Sequence, residues 1–119
     1  MKRRTLRQTK AAVEAAHHHY VYVVLLDGVC AKMLKRKNPD RDRSKPCVYV
    51  GMTGLEPCER FANHKAGIKA ARIVQRFGIR LLPELYAHLN PMPFEAAAMM
   101  EKDLAEDLRK QGYAVAGGT

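Results

Sequence analysis

The stretch from Cys47 to Lys65 restricts the fold of this chain more than any other. Its opening residues, Cys47-Val48-Tyr49-Val50, are mostly β-branched or aromatic and predict a short strand, with Gly51 and the Thr53-Gly54 turn as its stop. Pro57 suits a first helical position, where a missing N–H costs nothing. The predicted helix carries Arg60 and His64 four residues apart, so both side chains leave one face, a turn apart. A permanent cation and a titratable imidazole then point the same way. With Tyr49 at the strand end facing them, the three residues surround an anion from two sides.

Further elements frame this unit. Tyr20 to Leu26 is rich in β-branched and aromatic residues and is closed by Asp27-Gly28, which predicts a second strand. Alternation puts Tyr20, Tyr22 and Val24 on one of its faces. Part of Arg80–Leu89 supplies a third strand, in which Pro83 implies either an edge position or a late start. Ile68 to Phe77 has helical spacing, and Asn90-Pro91-Met92-Pro93-Phe94-Glu95 starts a helix that reaches about Gln111 before Gly112. Phe94, Ala97, Ala98, Leu104, Ala105 and Leu108 form the apolar stripe of that last helix, and Glu101 falls in the middle of it. A carboxylate among core-facing residues needs a cation, a metal or several donors, or else a structural ion pair. His17-His18-His19 is not a metal site, because neighbours in extended chain point to opposite sides.

In order and context, these residues resemble the GIY-YIG nuclease family over about residues 20 to 118. Tyr20-Val21-Tyr22 is similar to the first half of that signature and Tyr49-Val50-Gly51 to the second. The Arg60 to His64 spacing is similar to the family's catalytic helix, and Glu101 falls where the family keeps its single metal-binding carboxylate. The resemblance implies a metal-dependent endonuclease with one Mg2+ or Mn2+ per site on Glu101. It implies a catalytic set of Tyr22, Tyr49, Arg60, His64 and Glu101, with Tyr22 or Tyr49 as base and His64 orienting a tyrosine or shuttling its proton. Tyr20 and Val21 replace the family's leading glycine and isoleucine. Ala114 follows Gly112-Tyr113 where the family often carries an asparagine.

Charge supports a polyanionic partner without reference to any family. The formal net charge is +9, and residues 1–46 hold 12 Lys or Arg against four carboxylates, whereas residues 47–119 hold 9 against 8. This asymmetry places nucleic-acid contact in a basic arm at 1–16 and a long basic inter-strand loop at 28–46. The phosphate-contacting residues expected are Lys32, Lys35, Arg36, Lys37, Arg41, Arg43 and Lys45 of the loop, with Lys65 and Lys69 beyond it. Such residues bind phosphates without reading bases, so sequence specificity should be weak. A dimer or a partner protein would then supply targeting. DNA is the expected substrate, and the charge pattern does not separate it from RNA. Solubility alone is the plainer reading of a basic surface, and the alternative functions are a non-catalytic nucleic-acid-binding module or a basic protein-interaction domain.

The chain of 119 residues suits one small domain, residues 17–119. We expect an α+β fold with a central three-stranded antiparallel sheet flanked by helices. Cys30, Cys47 and Cys58 lack a Cys-x-x-Cys spacing and fit small apolar residues in a reducing compartment. The longest apolar run, Val21 to Leu26, is too short to cross a bilayer. A soluble, cytoplasmic protein is expected.

Overall fold

Val21, Val23 and Val24 have no exposed surface, which places the strand β1 (Tyr20–Leu26) inside a sheet covered on both faces. A computed structural model describes residues 17–118, and the basic arm expected at 1–16 lies outside the described residues. β1 pairs along its whole length with antiparallel β2 (Cys47–Thr53), Tyr20 facing Thr53 and Leu26 facing Cys47. On its other side it pairs with antiparallel β3 (Gly78–Leu81). A fourth strand, β4 (Ala114–Gly117), joins β2 in parallel, and the order is β3-β1-β2-β4.

The fold is therefore α+β as expected, but its sheet has four strands and is mixed. β4 was missed because Ala-Val-Ala-Gly has little β propensity. Three boundaries also move. Gly51 does not stop β2, which runs on to Thr53. The third strand ends at Leu81, and Pro83–Leu85 and Ala87–Leu89 fold into 3-10 turns, since Pro83 has no N–H for a ladder. The helix expected over Ile68 to Phe77 shortens to Arg72–Phe77, because the backbone reverses through Gly67 (φ 80°) and Lys69 (φ 47°).

Among the described residues four α-helices complete the architecture: α1 (Ala31–Leu34), α2 (Pro57–Ala66), α3 (Arg72–Phe77) and α4 (Phe94–Lys110). α4 buries Ala97, Glu101, Leu104, Ala105 and Leu108 at helical spacing and packs on β2 and β4. Phe94, expected on that stripe, is instead 58% exposed and stands T-shaped to the His19 ring.

The segment 28–46 is not the open loop that its length and charge predict. Asp27 caps a 3-10 turn at Gly28–Cys30, α1 follows directly, and Asn38 turns inward to become 6% exposed. The Asn38 amide then imitates a neighbouring strand. Val115 N–H donates to its Oδ1 (2.9 Å), and its Nδ2 donates to the carbonyls of Val115 (3.1 Å) and Leu34 (2.7 Å). Asp42 N–H donates to Gly112 O (2.8 Å), fixing the far end of the same turn. Asn90 does likewise on β1, accepting from Val21 N–H (2.9 Å) and donating to Val21 O (2.7 Å). Two asparagine side chains thus satisfy strand edges that would otherwise be buried unpaired.

Cys30 and Cys47 are free and buried, as expected of small apolar residues, whereas Cys58 is exposed. Among the described residues no helix is long and apolar enough to cross a membrane.

Candidate active site

Tyr22 faces Gly51 and Val24 faces Tyr49 across β1 and β2. Directly opposed residues share a face, so both tyrosines emerge on the same side of the sheet. Gly51 is what makes this fit. A Cβ built there would lie 2.6 Å from Cζ and Oη of Tyr22, so the Tyr22 ring crosses β2 through the space a side chain would fill. Gly117 does the same for the second tyrosine, since a Cβ on it would lie 2.9 Å from Tyr49 Cε2. Its φ of 75° also favours glycine.

α2 brings the imidazole onto this pair. Tyr22 Oη lies 2.8 Å from His64 Nε2, and the rings of Tyr22, Tyr49 and His64 stand 5.8 to 6.2 Å apart in a triangle. The tautomer follows from the other nitrogen. Ala71 N–H donates to His64 Nδ1 at 3.0 Å, so neutral His64 carries its proton on Nε2 and donates it to Tyr22 Oη. Burial, and secondarily the Arg60 charge, lower the His64 pKa to about 4, which keeps the ring neutral near pH 7. Within this geometry His64 is a donor to Tyr22 and has no free lone pair.

Arg60 leaves α2 one turn before His64. Its Nη1 donates to Ile68 O (3.3 Å) and its Nη2 to Lys69 O (2.9 Å), which fixes the guanidinium and leaves its other N–H groups for a ligand. Its charge favours the ionised form of both tyrosines. Desolvation dominates all the same and raises both pKa values, with Tyr49 and Glu101 adding to the rise at Tyr22 and Glu101 at Tyr49. A hydrogen bond from Tyr22 works in the opposite direction at Tyr49. The phenols are neutral at rest.

Glu101 sits on α4 at 8% exposure and makes no hydrogen bond with the described residues. Desolvation raises its pKa, opposed by Lys102. Its oxygens are not among the buried polar atoms that lack a partner, so the carboxylate head reaches solvent, where a cation can meet it. It is the only carboxylate of the set, and no group of three or more His, Cys, Asp or Glu is placed to hold a metal among the described residues. One protein oxygen leaves most of a divalent ion's coordination to substrate and water, which is ordinary for Mg2+.

All five expected catalytic residues, Tyr22, Tyr49, Arg60, His64 and Glu101, thus come together at one place. The expected phosphate-binding residues divide. Lys32, Lys35, Arg36, Lys37 and Arg43 are exposed on the 28–46 segment, Arg41 is half-buried there, and Lys45 lies over the Tyr113 ring at 5.2 Å from its centroid. Lys65 is exposed, and its Nζ donates to Gln75 O and Gly78 O, both at 2.9 Å, so it also ties α2 to the start of β3. Lys69 is exposed beside Arg60. Ala114, at the position where the resemblance led us to look for an asparagine, is buried in β4 opposite Cys47 and offers no polar group.

Sequence reasoning missed the roles of Gly51, Gly117 and the Ala71 N–H. Small residues beneath two aromatic rings leave a trace only once strand register is known. Comparison of the chain with protein-family models, curated proteins and solved structures gives no match.

Proposed function

We propose that the chain is a metal-dependent endonuclease of the GIY-YIG type that hydrolyses phosphodiester bonds in DNA with little sequence preference of its own. The observation that carries this reading is the His64 to Tyr22 hydrogen bond, with Tyr49, Arg60 and a partnerless buried Glu101 gathered around it. In the reaction a water oxygen bonds to phosphorus as the ester P–O bond breaks; the water proton passes to a tyrosine in its phenolate form, whose own proton has first gone to solvent, and the leaving oxygen takes up a proton from solvent. Tyr49 is half-buried whereas Tyr22 is 1% exposed, so Tyr49 is the phenol that can meet a water. His64 donates to Tyr22, and the rings of both residues stand against that of Tyr49, at 5.8 and 6.2 Å. The free donors of Arg60 bind non-bridging phosphate oxygens and oppose the raised pKa of Tyr49. A divalent ion on Glu101, when bound, neutralises charge on the phosphate and assists the leaving oxygen.

A non-catalytic nucleic-acid-binding module is the second reading, favoured by the engagement of Arg60 with the Ile68 and Lys69 carbonyls. Substituting Tyr49 and Arg60 separates the readings. Tyr49→Phe and Arg60→Ala each reduce plasmid nicking in Mg2+ by about 100-fold or more if they act on the reacting atoms. Nicking that both variants retain at the wild-type rate refutes the catalytic assignment.

A further inference from the structure

A second electropositive site lies on the opposite side of β4 from the middle strands. The turn Asn38 to Arg41 separates two clefts, one of about 420 Å3 and one of about 660 Å3, and lines both of them with Asn38, Pro39 and Arg41. Lys37, Arg109 and Lys110 enter the smaller cleft, whose one carboxylate is Asp40. Lys32, Lys35 and Arg43 enter the larger, with no carboxylate. Arg41 stands where the two meet.

Two features separate this trough from an ordinary solvated basic face. The first is rigidity. Asn38 is clamped to Val115 and Asp42 to Gly112, so the cations are mounted on the sheet and α4 before any ligand arrives. The second is that the arginines lack internal partners. Nε of Arg41 and Nε of Arg109 are both buried without a hydrogen-bond acceptor among the described residues, and the single bond of the Arg41 fork, from Nη2 to Lys45 O, is long at 3.5 Å. Neither guanidinium is committed to a carboxylate. The Nε atoms are closed to solvent, so it is the Nη ends of these uncommitted forks that would meet phosphate oxygens.

We propose that this trough binds the sugar-phosphate backbone of the nucleic acid at a distance from the candidate active site, with Arg41 and Arg109 as its phosphate contacts. The inference extends the function proposed above by naming a second contact region, and it stands on charge and geometry that do not involve the catalytic set. Arg109 follows Glu101 by eight residues on one helix, about 12 Å along its axis. At ~3.4 Å per nucleotide of duplex, a strand held at Glu101 reaches the trough roughly four nucleotides away. The trough reads no bases, and it fixes the direction in which a strand leaves the site.

Duplex binding in EDTA, with fluorescently labelled DNA over a range of salt, tests this in the full chain. The double variant Arg41→Gln/Arg109→Gln should bind ~10-fold or more weakly at about 0.1 M salt and lower the slope of log affinity against log salt by about 2. Arg80→Gln, at the opposite edge of the sheet, should bind as the wild type does. Bound duplex should also protect Lys32, Lys35 and Lys37 from acetylation, a measurement made on the unaltered protein. A double variant that melts like the wild type and keeps its affinity and slope overturns the proposal, as does unchanged acetylation of those lysines. Loss of binding by the double variant, beside a wild type that binds but never cleaves, sustains the trough and refutes the nuclease reading.

Discussion

The Tyr22 ring occupies the space that a side chain on Gly51 would need, with Cζ and Oη 2.6 Å from where a Cβ would be. The Tyr-x-Gly spacing in β2 is therefore a packing requirement of β1. Gly51→Ala should destabilise the fold by about 1–3 kcal/mol in denaturant unfolding, because the displaced ring is backed by a packed core. Tyr22→Val should recover much of that loss in the double variant, giving a coupling well above 0.5 kcal/mol. Additive effects of the two substitutions would contradict the overlap.

His64 should give the fold a distinct pH dependence. Its pKa falls from 6.5 in the unfolded chain to about 4 when buried, so the unfolded state takes up the proton first. The native state is then favoured most above pH 6.5 and loses up to about 3 kcal/mol as pH falls to 4, below which the loss is complete. The difference between wild type and His64→Gln, measured by urea unfolding at each pH, isolates this from the carboxylates. Parallel stability curves for the two proteins would show that His64 titrates normally.

Glu101 should trade stability for metal binding. Its raised pKa means that the native state is penalised above that pKa and relieved as pH falls below the unfolded value. Glu101→Gln should therefore unfold at a higher denaturant concentration at pH 7, by about 1 kcal/mol. Millimolar-range Mn2+ should stabilise the wild type and leave Glu101→Gln unchanged. Equal stabilisation of both proteins would place the ion elsewhere.

How much of this was legible in the sequence depended on whether a residue acts locally. Strand β1 and helix α4 followed from β-branched runs and 3.6-residue spacing, and so did the buried placement of Glu101, which breaks an apolar stripe. Arg60 and His64 were paired by helical geometry alone. What connects distant segments was not legible. Asn38 and Val115 are 77 positions apart, and nothing near Asn38-Pro39 distinguishes an edge clamp from a turn. For the same reason a basic stretch of unremarkable composition read as an open loop. Gly51 read as a strand stop because its ring neighbour belongs to another strand, and β4 was too short and too alanine-rich to register.

Incubation of supercoiled plasmid with the purified chain and Mg2+ or Mn2+, beside Glu101→Gln, tests the central claim most directly. The account predicts time-dependent conversion to nicked circles by the wild type and loss of that activity in EDTA. It also predicts ~100-fold or greater loss in Glu101→Gln, a variant that still binds DNA. Plasmid that stays supercoiled with well-folded wild type in either metal, or that is nicked equally by Glu101→Gln, would contradict it.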